Sequence, residues 1–77
     1  MLGTIIRLVL NKGYAFVRGE DGISRFSHCR SFVDPLAFDR AREGQAVEFD
    51  PVIDTSAHAR SGGARAINIV LLPAEKP

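Results

Sequence analysis

Alternation of apolar and polar positions predicts three consecutive β-strands in the first 28 residues. TIIRLVL (residues 4–10) is rich in β-branched side chains, and YAFVRG (14–19) and ISRFSH (23–28) alternate in polarity. The turn signals NKG (11–13) and EDG (20–22) separate these segments, and the glycine of each can adopt a positive φ. The pattern therefore predicts an antiparallel meander of three strands.

The segment after the third strand predicts a short helix. Residues 29–45 lack the alternation of a strand, and the pair Asp34–Pro35 can open a helix with the aspartate as N-cap and the proline in the first turn. LAFDRAR supplies one or two turns of helix-forming residues, and Gly44 is expected to end them. We therefore expect a short helical segment between the third and fourth strands.

Two further strands are predicted in the last third of the chain. QAVEFDPVID (45–54) alternates in polarity as a strand with one buried face does, and Pro51 within it indicates an edge position, a bulge or a bend. ARAINIVLL (64–72) is the predicted fifth strand. The intervening residues 55–63 form a loop by composition, and residues 74–77 are expected to be a frayed tail.

Five strands in a chain of 77 residues favour a closed β-barrel over an open sheet. Closure removes strand edges that so small a chain could hardly cover by other means. We predict one all-β domain over residues 1–73, stabilised by packing alone because the single cysteine cannot form an internal disulfide. Its predicted core residues are Ile5, Val17, Ile23, Val47, Phe49, Ile67, Ile69 and Leu71.

The aromatic side chains of the meander are predicted to share one face. Side chains alternate across a strand, so Tyr14 and Phe16 lie on one face of the second strand, and Phe26 and His28 on one face of the third. If these strands pair through the EDG turn, the two sets lie side by side. Exposed aromatic rings beside basic groups form a surface on which nucleic-acid bases stack. The alternative is that Phe16 and Phe26 simply belong to the core.

Basic residues are concentrated at the two ends of the sequence, although the net charge is only +1. Residues 1–30 carry five basic and two acidic side chains, residues 31–57 carry two and six, and residues 58–77 carry three and one. If the ends meet in the fold, one face of the domain is positive. Eight of the ten basic residues are arginine, which favours stacking and bidentate phosphate contacts. Ordinary solubilising charge is the alternative explanation.

The sequence offers little for catalysis or metal binding. His28, Cys29 and His58 lack the C-x-x-C pair or the fourth ligand that a zinc site needs. Adjacent strand residues point to opposite faces, so Cys29 is not expected to share a proton with His28 and is predicted to be a small buried residue. RGEDG lacks the pattern of a phosphate-binding loop. We expect neither an enzyme nor a cofactor or metal.

No segment of the sequence predicts a membrane or secretory protein. No apolar run approaches the roughly 18–20 residues of a transmembrane helix. The apolar N-terminus lacks the basic region and the cleavage site of a signal peptide. A lone cysteine is typical of a reducing compartment, so a cytoplasmic location is expected.

Four segments of the chain resemble the cold-shock domain family. NKGYAFV is similar to the family's first RNA-binding motif, K-G-F-G-F-[IV], and RFSH is similar to its second, V-F-V-H. EGQAVEF resembles E-G-Q-x-V-x-F before the fourth strand, and GGARAINIVLL resembles the K-G-P-x-A-x-N-V ending. The segments follow the family's order over residues 3–72. This resemblance implies an OB-type barrel of five antiparallel strands in Greek-key order that binds single-stranded RNA or DNA.

The resemblance also implies which residues contact nucleic acid. Five side chains match the family's base-stacking and phosphate-contacting positions: Lys12, Tyr14, Phe16, Phe26 and His28. Arg18, together with Arg60 from the 55–63 loop, is expected to reach the phosphate backbone beside Lys12 and Arg7.

Two departures from the family pattern reduce the expected stacking surface. Arg7 stands where the family has a tryptophan, and a guanidinium plane can stack on a base in its place. Cys29 follows His28 where the family often has another aromatic residue. We therefore expect weaker binding than is usual in the family.

The expected function is single-stranded nucleic-acid binding with low sequence preference, as an RNA chaperone or a regulator of transcription or translation. No membrane or small-molecule partner is expected, and the protein is expected to be a monomer, with a weak dimer left open. The alternative is an OB-type protein-interaction module with reduced or lost nucleic-acid binding. A domain of a larger assembly is a third possibility, against which Met1 and the complete motif order argue.

Overall fold

The chain forms a closed five-stranded β-barrel with one short helix between the third and fourth strands. The computed structural model describes residues 1–34, 36–53 and 63–73. The barrel order is β1-β2-β3-β5-β4, and neighbouring strands are antiparallel except for the parallel pair β3–β5. The predicted fold class is therefore confirmed, with one parallel pair closing the barrel. The elements are β1 (Leu2–Val9), β2 (Tyr14–Gly19), β3 (Ser24–His28), α1 (Ala37–Arg40), β4 (Ala46–Ile53) and β5 (Ala64–Leu71).

Both turns of the predicted meander are present. A 3₁₀ turn at Leu10–Lys12 joins β1 to β2 and ends at Gly13, whose φ of 74° is in the left-handed region that favours glycine. In the EDG turn, Gly22 has a φ of 83° and its N–H donates to the Gly19 carbonyl at 2.9 Å. These glycines allow the tight reversals that place β2 between β1 and β3.

The barrel interior contains most of the predicted core. Five of the predicted residues are at most 1% exposed: Ile5, Val17, Val47, Phe49 and Ile69. Leu71 is partly buried against this core, and Ile67 is half-buried. The prediction for Ile23 is wrong, because this residue precedes β3 in the turn and is 49% exposed.

The segment between β3 and β4 supplies core residues that the sequence pattern did not predict. Phe32 and Phe38 are both buried, with ring centroids 5.3 Å apart and planes at 75°. Ala37 and Ala41 are buried in the same cluster. The segment between β3 and β4 therefore adds apolar side chains to the core formed by the barrel strands.

The predicted ends of this helix are wrong. Helix α1 begins at Ala37 with Leu36 as its N-cap and ends at Arg40, before Gly44. The Asp34 carboxylate instead accepts from the Leu36 N–H at 3.0 Å and pairs with Arg40 at 3.1 Å. Asp34 thus stabilises the turn that precedes α1, and Pro35 lies outside the described residues.

The β4 strand is irregular just before its proline. The β4–β5 register shifts between Glu48 and Asp50, after which Pro51 pairs with Ala66. This agrees with the expectation of a bulge or bend near Pro51.

A buried arginine occupies the interior face of β3. Arg25 is only 6% exposed and donates two hydrogen bonds to the Asp21 carboxylate, at 2.6 and 3.1 Å. Its guanidinium also lies 5.4 Å from the centre of the Phe49 ring and 3.6 Å from the Met1 sulfur. The hydrogen bonds from Arg25 and from the Ile23 N–H hold the pKa of Asp21 at about 2, and Asp21 in turn raises the pKa of Arg25. A charged group is tolerated here because it is paired.

None of the helices formed by residues 1–34, 36–53 and 63–73 has the length and apolar character needed to cross a membrane.

Candidate nucleic-acid interface

Three aromatic rings of β2 and β3 form one contiguous group on the outer face of the barrel. Tyr14 and Phe16 have ring centroids 5.8 Å apart, Tyr14 and Phe26 5.5 Å, and Phe16 and Phe26 5.8 Å. These three residues are called the aromatic cluster below. All three are half-buried, and none belongs to the buried core. The alternative that Phe16 and Phe26 are core residues is therefore wrong.

The cluster follows from the period-2 geometry of a hairpin. On β2, Tyr14 and Phe16 alternate with Ala15 and Val17, which are fully buried. On β3, Ser27 is also fully buried, and its hydroxyl donates a hydrogen bond to the Ala15 carbonyl at 3.0 Å. The register pairs Phe16 with Phe26. Because one face of each strand is buried in the interior, the other face, which carries the aromatic cluster, points outward, as the alternation of the sequence predicts.

A bulge in β1 turns Arg7 toward the aromatic cluster. The β1–β2 register pairs Ile5 with Val17 and Arg7 with Phe16, and it shifts between these pairs at Ile6. Without that extra residue, Ile6 would oppose Phe16 and Arg7 would face the interior. The bulge therefore places the arginine where the resemblance expects it, on the exposed side of the barrel.

Arg65 of β5 lies on the other side of the cluster. The single β3–β5 pairing joins Phe26 to Arg65, and the Arg65 guanidinium carbon is 5.7 Å from the centre of the Phe26 ring. Sequence reasoning missed this residue, because only closure of the barrel brings β5 beside β3. The one feature of the sequence that indicated a basic residue here was the concentration of basic residues toward both ends of the chain.

Four side chains therefore form a row across four adjacent strands: Arg7 on β1, Phe16 on β2, Phe26 on β3 and Arg65 on β5. We call this the cross-strand row. In it, two phenylalanines lie between two arginines. Such a row offers apolar faces to bases and positive charge to phosphates on both sides of them.

His28 is exposed at the end of β3, directly opposite Tyr14. Its Nδ1 accepts a hydrogen bond from the Arg30 N–H at 3.1 Å. That bond requires a lone pair on Nδ1, so the ring proton of the neutral imidazole is on Nε2. Nε2 is thereby the nitrogen that can donate to a ligand.

The expectation that Cys29 and His28 point to opposite faces is wrong. Strand β3 ends at His28, and Cys29 begins a 3₁₀ turn at Cys29–Ser31. Strand alternation stops there, and the Cys29 sulfur lies 3.6 Å from Nδ1 of His28. Cys29 is half-buried and packs partly against the core.

Two other predicted basic residues, Arg18 and Lys12, lie next to the aromatic cluster along the chain. Arg18 is exposed on the same face of β2 as Tyr14 and Phe16, and Lys12 is exposed in the turn before β2. Arg60 lies outside the described residues, together with His58, the predicted tail and all but Gly63 of the predicted 55–63 loop.

The acidic residues of β4 form a border to this basic face. Glu48 and Asp50 are exposed on β4, which lies between β5 and β1 in the barrel. The Asp50 carboxylate accepts from the Asn68 side chain at 2.9 Å. Glu43, before β4, accepts from the Leu8 N–H at 3.1 Å. Within the five described strands, the basic side chains thus lie on β1, β2, β3 and β5, and the acidic side chains lie on β4.

Comparison with models of known protein families and with curated protein sequences finds no match to this chain. The resemblance to the cold-shock domain therefore stays a prediction.

Proposed function

We propose that this protein binds single-stranded nucleic acid with low sequence preference through the aromatic cluster and its flanking arginines. The observation that carries the proposal is the cross-strand row, in which Phe16 and Phe26 lie between Arg7 and Arg65. Base–aromatic stacking contributes about 1–3 kcal/mol per base, and guanidinium groups bind phosphate oxygens.

The form of the surface favours single strands over a duplex. The rings of the cluster can stack only on bases whose faces are exposed, and bases inside a duplex are already stacked on each other. Every base has a π-face, so stacking alone discriminates weakly among sequences. His28 Nε2 adds one hydrogen-bond donor beside Tyr14.

The biological role that fits this activity is that of an RNA chaperone or a regulator of transcription or translation. Binding with low sequence preference suits a protein that keeps many different strands unpaired. The order of the four motifs that resemble the cold-shock domain supports the same role, and a cytoplasmic location goes with it. These assignments rest on the resemblance together with the cross-strand row.

Tyrosine fluorescence gives a direct test of the site. Tyr14 is the only tyrosine and the chain has no tryptophan, so the intrinsic emission arises from the aromatic cluster. Adding a pyrimidine-rich single strand is expected to quench this emission in a saturable way, because a base stacks on the cluster. A duplex of the same sequence is expected to leave it nearly unchanged.

Free tyrosine amide titrated with the same strands controls for absorption of light by the bases. Saturable quenching by the single strand, absent from the amide control, supports the proposal. Emission that follows the amide control with both ligands would contradict it.

A protein-interaction module is the second candidate, favoured by an apolar groove away from the aromatic cluster. The groove has a volume of about 430 Å³ and is lined in part by Val33, Ala37, Ile69 and Val70. Val33 and Val70 are 61% and 44% exposed. Absence of single-strand binding at low salt would favour this candidate over the first.

A further inference from the structure

We propose that Arg65 forms a second cationic edge of the interface, so that a bound single strand crosses the β-strands from Arg7 to Arg65. This inference rests on the proposed function. It assigns a binding role to a residue of β5, a strand that pairs with β3 and β4 and that the motifs of the first half of the chain do not reach.

The first support is the position of the Arg65 guanidinium. Its carbon lies 5.7 Å from the centre of the Phe26 ring, within the distance of a cation–π contact. A guanidinium held beside an aromatic ring keeps its planar donors in a fixed place, and so less side-chain entropy is lost when phosphate binds. Arg65 is half-buried, which restricts it further.

The second support is the symmetry of charge about the aromatic pair. Adjacent strands lie about 4.8 Å apart, so the path over the barrel surface from β1 across β2 and β3 to β5 is roughly 14 Å long. Phe16 and Phe26 occupy the two positions between the arginines. Bases stacked on these rings would have their phosphates within reach of one guanidinium on each side.

The third support is the distribution of acidic residues. Beyond Arg65 comes β4, on which Val52 pairs with Arg65 and the exposed carboxylates of Asp50 and Glu48 lie further along the strand. Carboxylates repel a phosphate backbone, so the path is expected to end at Arg65 rather than continue around the barrel. The row therefore predicts the path of the bound nucleic acid across the β-strands and the residue at which this path ends.

The test compares Arg65→Gln, Arg65→Lys and the parent protein in titrations with an oligothymidylate of about seven nucleotides, a length within the usual OB-fold site size. Arg40→Gln is the matched control, since the Arg40 side chain is 68% exposed, is paired with Asp34 and lies on α1. Circular dichroism melts establish that each variant is folded.

Arg65→Gln is expected to weaken binding roughly three- to tenfold, by loss of the charge and of the cation–π contact. The slope of log K against log salt is expected to become shallower by about 0.7, the value for one lost phosphate contact on a single strand. Arg65→Lys is expected to weaken binding less and to keep the parent slope. Arg40→Gln is expected to match the parent in both quantities.

A measurement on the parent protein covers the case in which Arg65→Gln fails to fold. The Nε–H resonances of Arg7 and Arg65 are expected to shift in NMR spectra when the oligonucleotide is added, while that of Arg40 stays in place. Binding by the parent with an unshifted Arg65 resonance, or with unchanged affinity and slope in a folded Arg65→Gln, overturns this inference alone. No binding by the parent overturns the proposed function and this inference together.

Discussion

Phe16 and Phe26 face each other across the β2–β3 hairpin, with ring centroids 5.8 Å apart and planes at 70°. Both rings are half-buried on the outer side of the barrel, while Phe32 and Phe38 pack in the interior. Phenylalanine thus occurs in this chain both on the outer face and in the core. Truncation on the outer face is expected to weaken binding, whereas truncation in the core is expected to lower folding stability.

Phe16→Ala and Phe26→Ala are each expected to weaken single-strand binding by about 1–3 kcal/mol, the contribution of one lost base stack. Both variants are expected to remain folded, because neither ring belongs to the core. Fluorescence anisotropy of a labelled single strand measures the affinity, and thermal melts measure stability.

Phe38→Ala is the matched control for these two variants. Phe38 is 5% exposed within the core, so its truncation is expected to cost about 3–5 kcal/mol of folding stability. Unfolding of Phe16→Ala or Phe26→Ala with no separate loss of binding would assign those rings to the core and contradict the site.

Arg7 allows a test by gain of binding. Arg7→Trp is expected to strengthen binding, because the indole adds a stacking face opposite Phe16. Arg7→Ala is expected to weaken binding and to make the salt dependence shallower by about 0.7 in log–log slope. Arg42→Ala, an exposed arginine before β4, should behave like the parent. Parent-like binding by both Arg7 variants would place Arg7 outside the path of the ligand.

The Asp21–Arg25 pair predicts a loss of stability in acid. Hydrogen bonds from Arg25 and from the Ile23 N–H lower the pKa of Asp21 from 3.8 to about 2. A carboxylate whose pKa is lowered on folding stabilises the protein above its unfolded pKa, and this contribution disappears as the pH falls through the folded value. The contribution is therefore present above about pH 4 and lost toward pH 2.

Urea unfolding of the parent and of Asp21→Asn at a series of pH values measures this contribution. The parent is expected to be the more stable protein above pH 4, and the difference should shrink between pH 4 and pH 2, the two pKa values of the carboxyl. Glu48→Gln, which removes an exposed carboxylate from β4, is the control and should show no such difference. A parent–Asp21→Asn difference that is constant over this range would contradict the ion pair.

Gly3 lies where β1 approaches both of its neighbouring strands. A Cβ at this position would lie 2.6 Å from the Arg18 carbonyl oxygen and 2.8 Å from the Phe49 ring. Gly3→Ala is therefore expected to destabilise the barrel by about 1–3 kcal/mol through overpacking. The adjacent exposed Thr4→Ala should stay within about 0.5 kcal/mol of the parent in the same melts. Equal stability of Gly3→Ala and the parent would show that β1 can move away from Phe49.

The sequence predicted the local features of this fold well. The alternation of the first 28 residues located β1, β2 and β3, and the two glycine turns fixed how these strands pair. The shared face of Tyr14, Phe16, Phe26 and His28 followed, because side-chain alternation and hairpin register are short-range properties.

Features that depend on distant contacts could not be predicted in this way. Arg65 meets Phe26 only through the parallel pairing of β5 with β3, and no local pattern encodes that neighbour. Phe32 and Phe38 are buried by packing of a segment without periodicity. Arg25 occupies an interior position because Asp21, four residues earlier, neutralises it.

A calorimetric titration of the protein with a short pyrimidine-rich single strand and with the corresponding duplex, at two salt concentrations, tests the central claim most directly. With about three or four phosphates neutralised, log K for the single strand is expected to fall by about 2–3 units for a tenfold rise in salt. We expect micromolar affinity, little gain beyond six or seven bases, and clear preference for the single strand. Equal binding to the duplex, or no binding at low salt, would contradict the account.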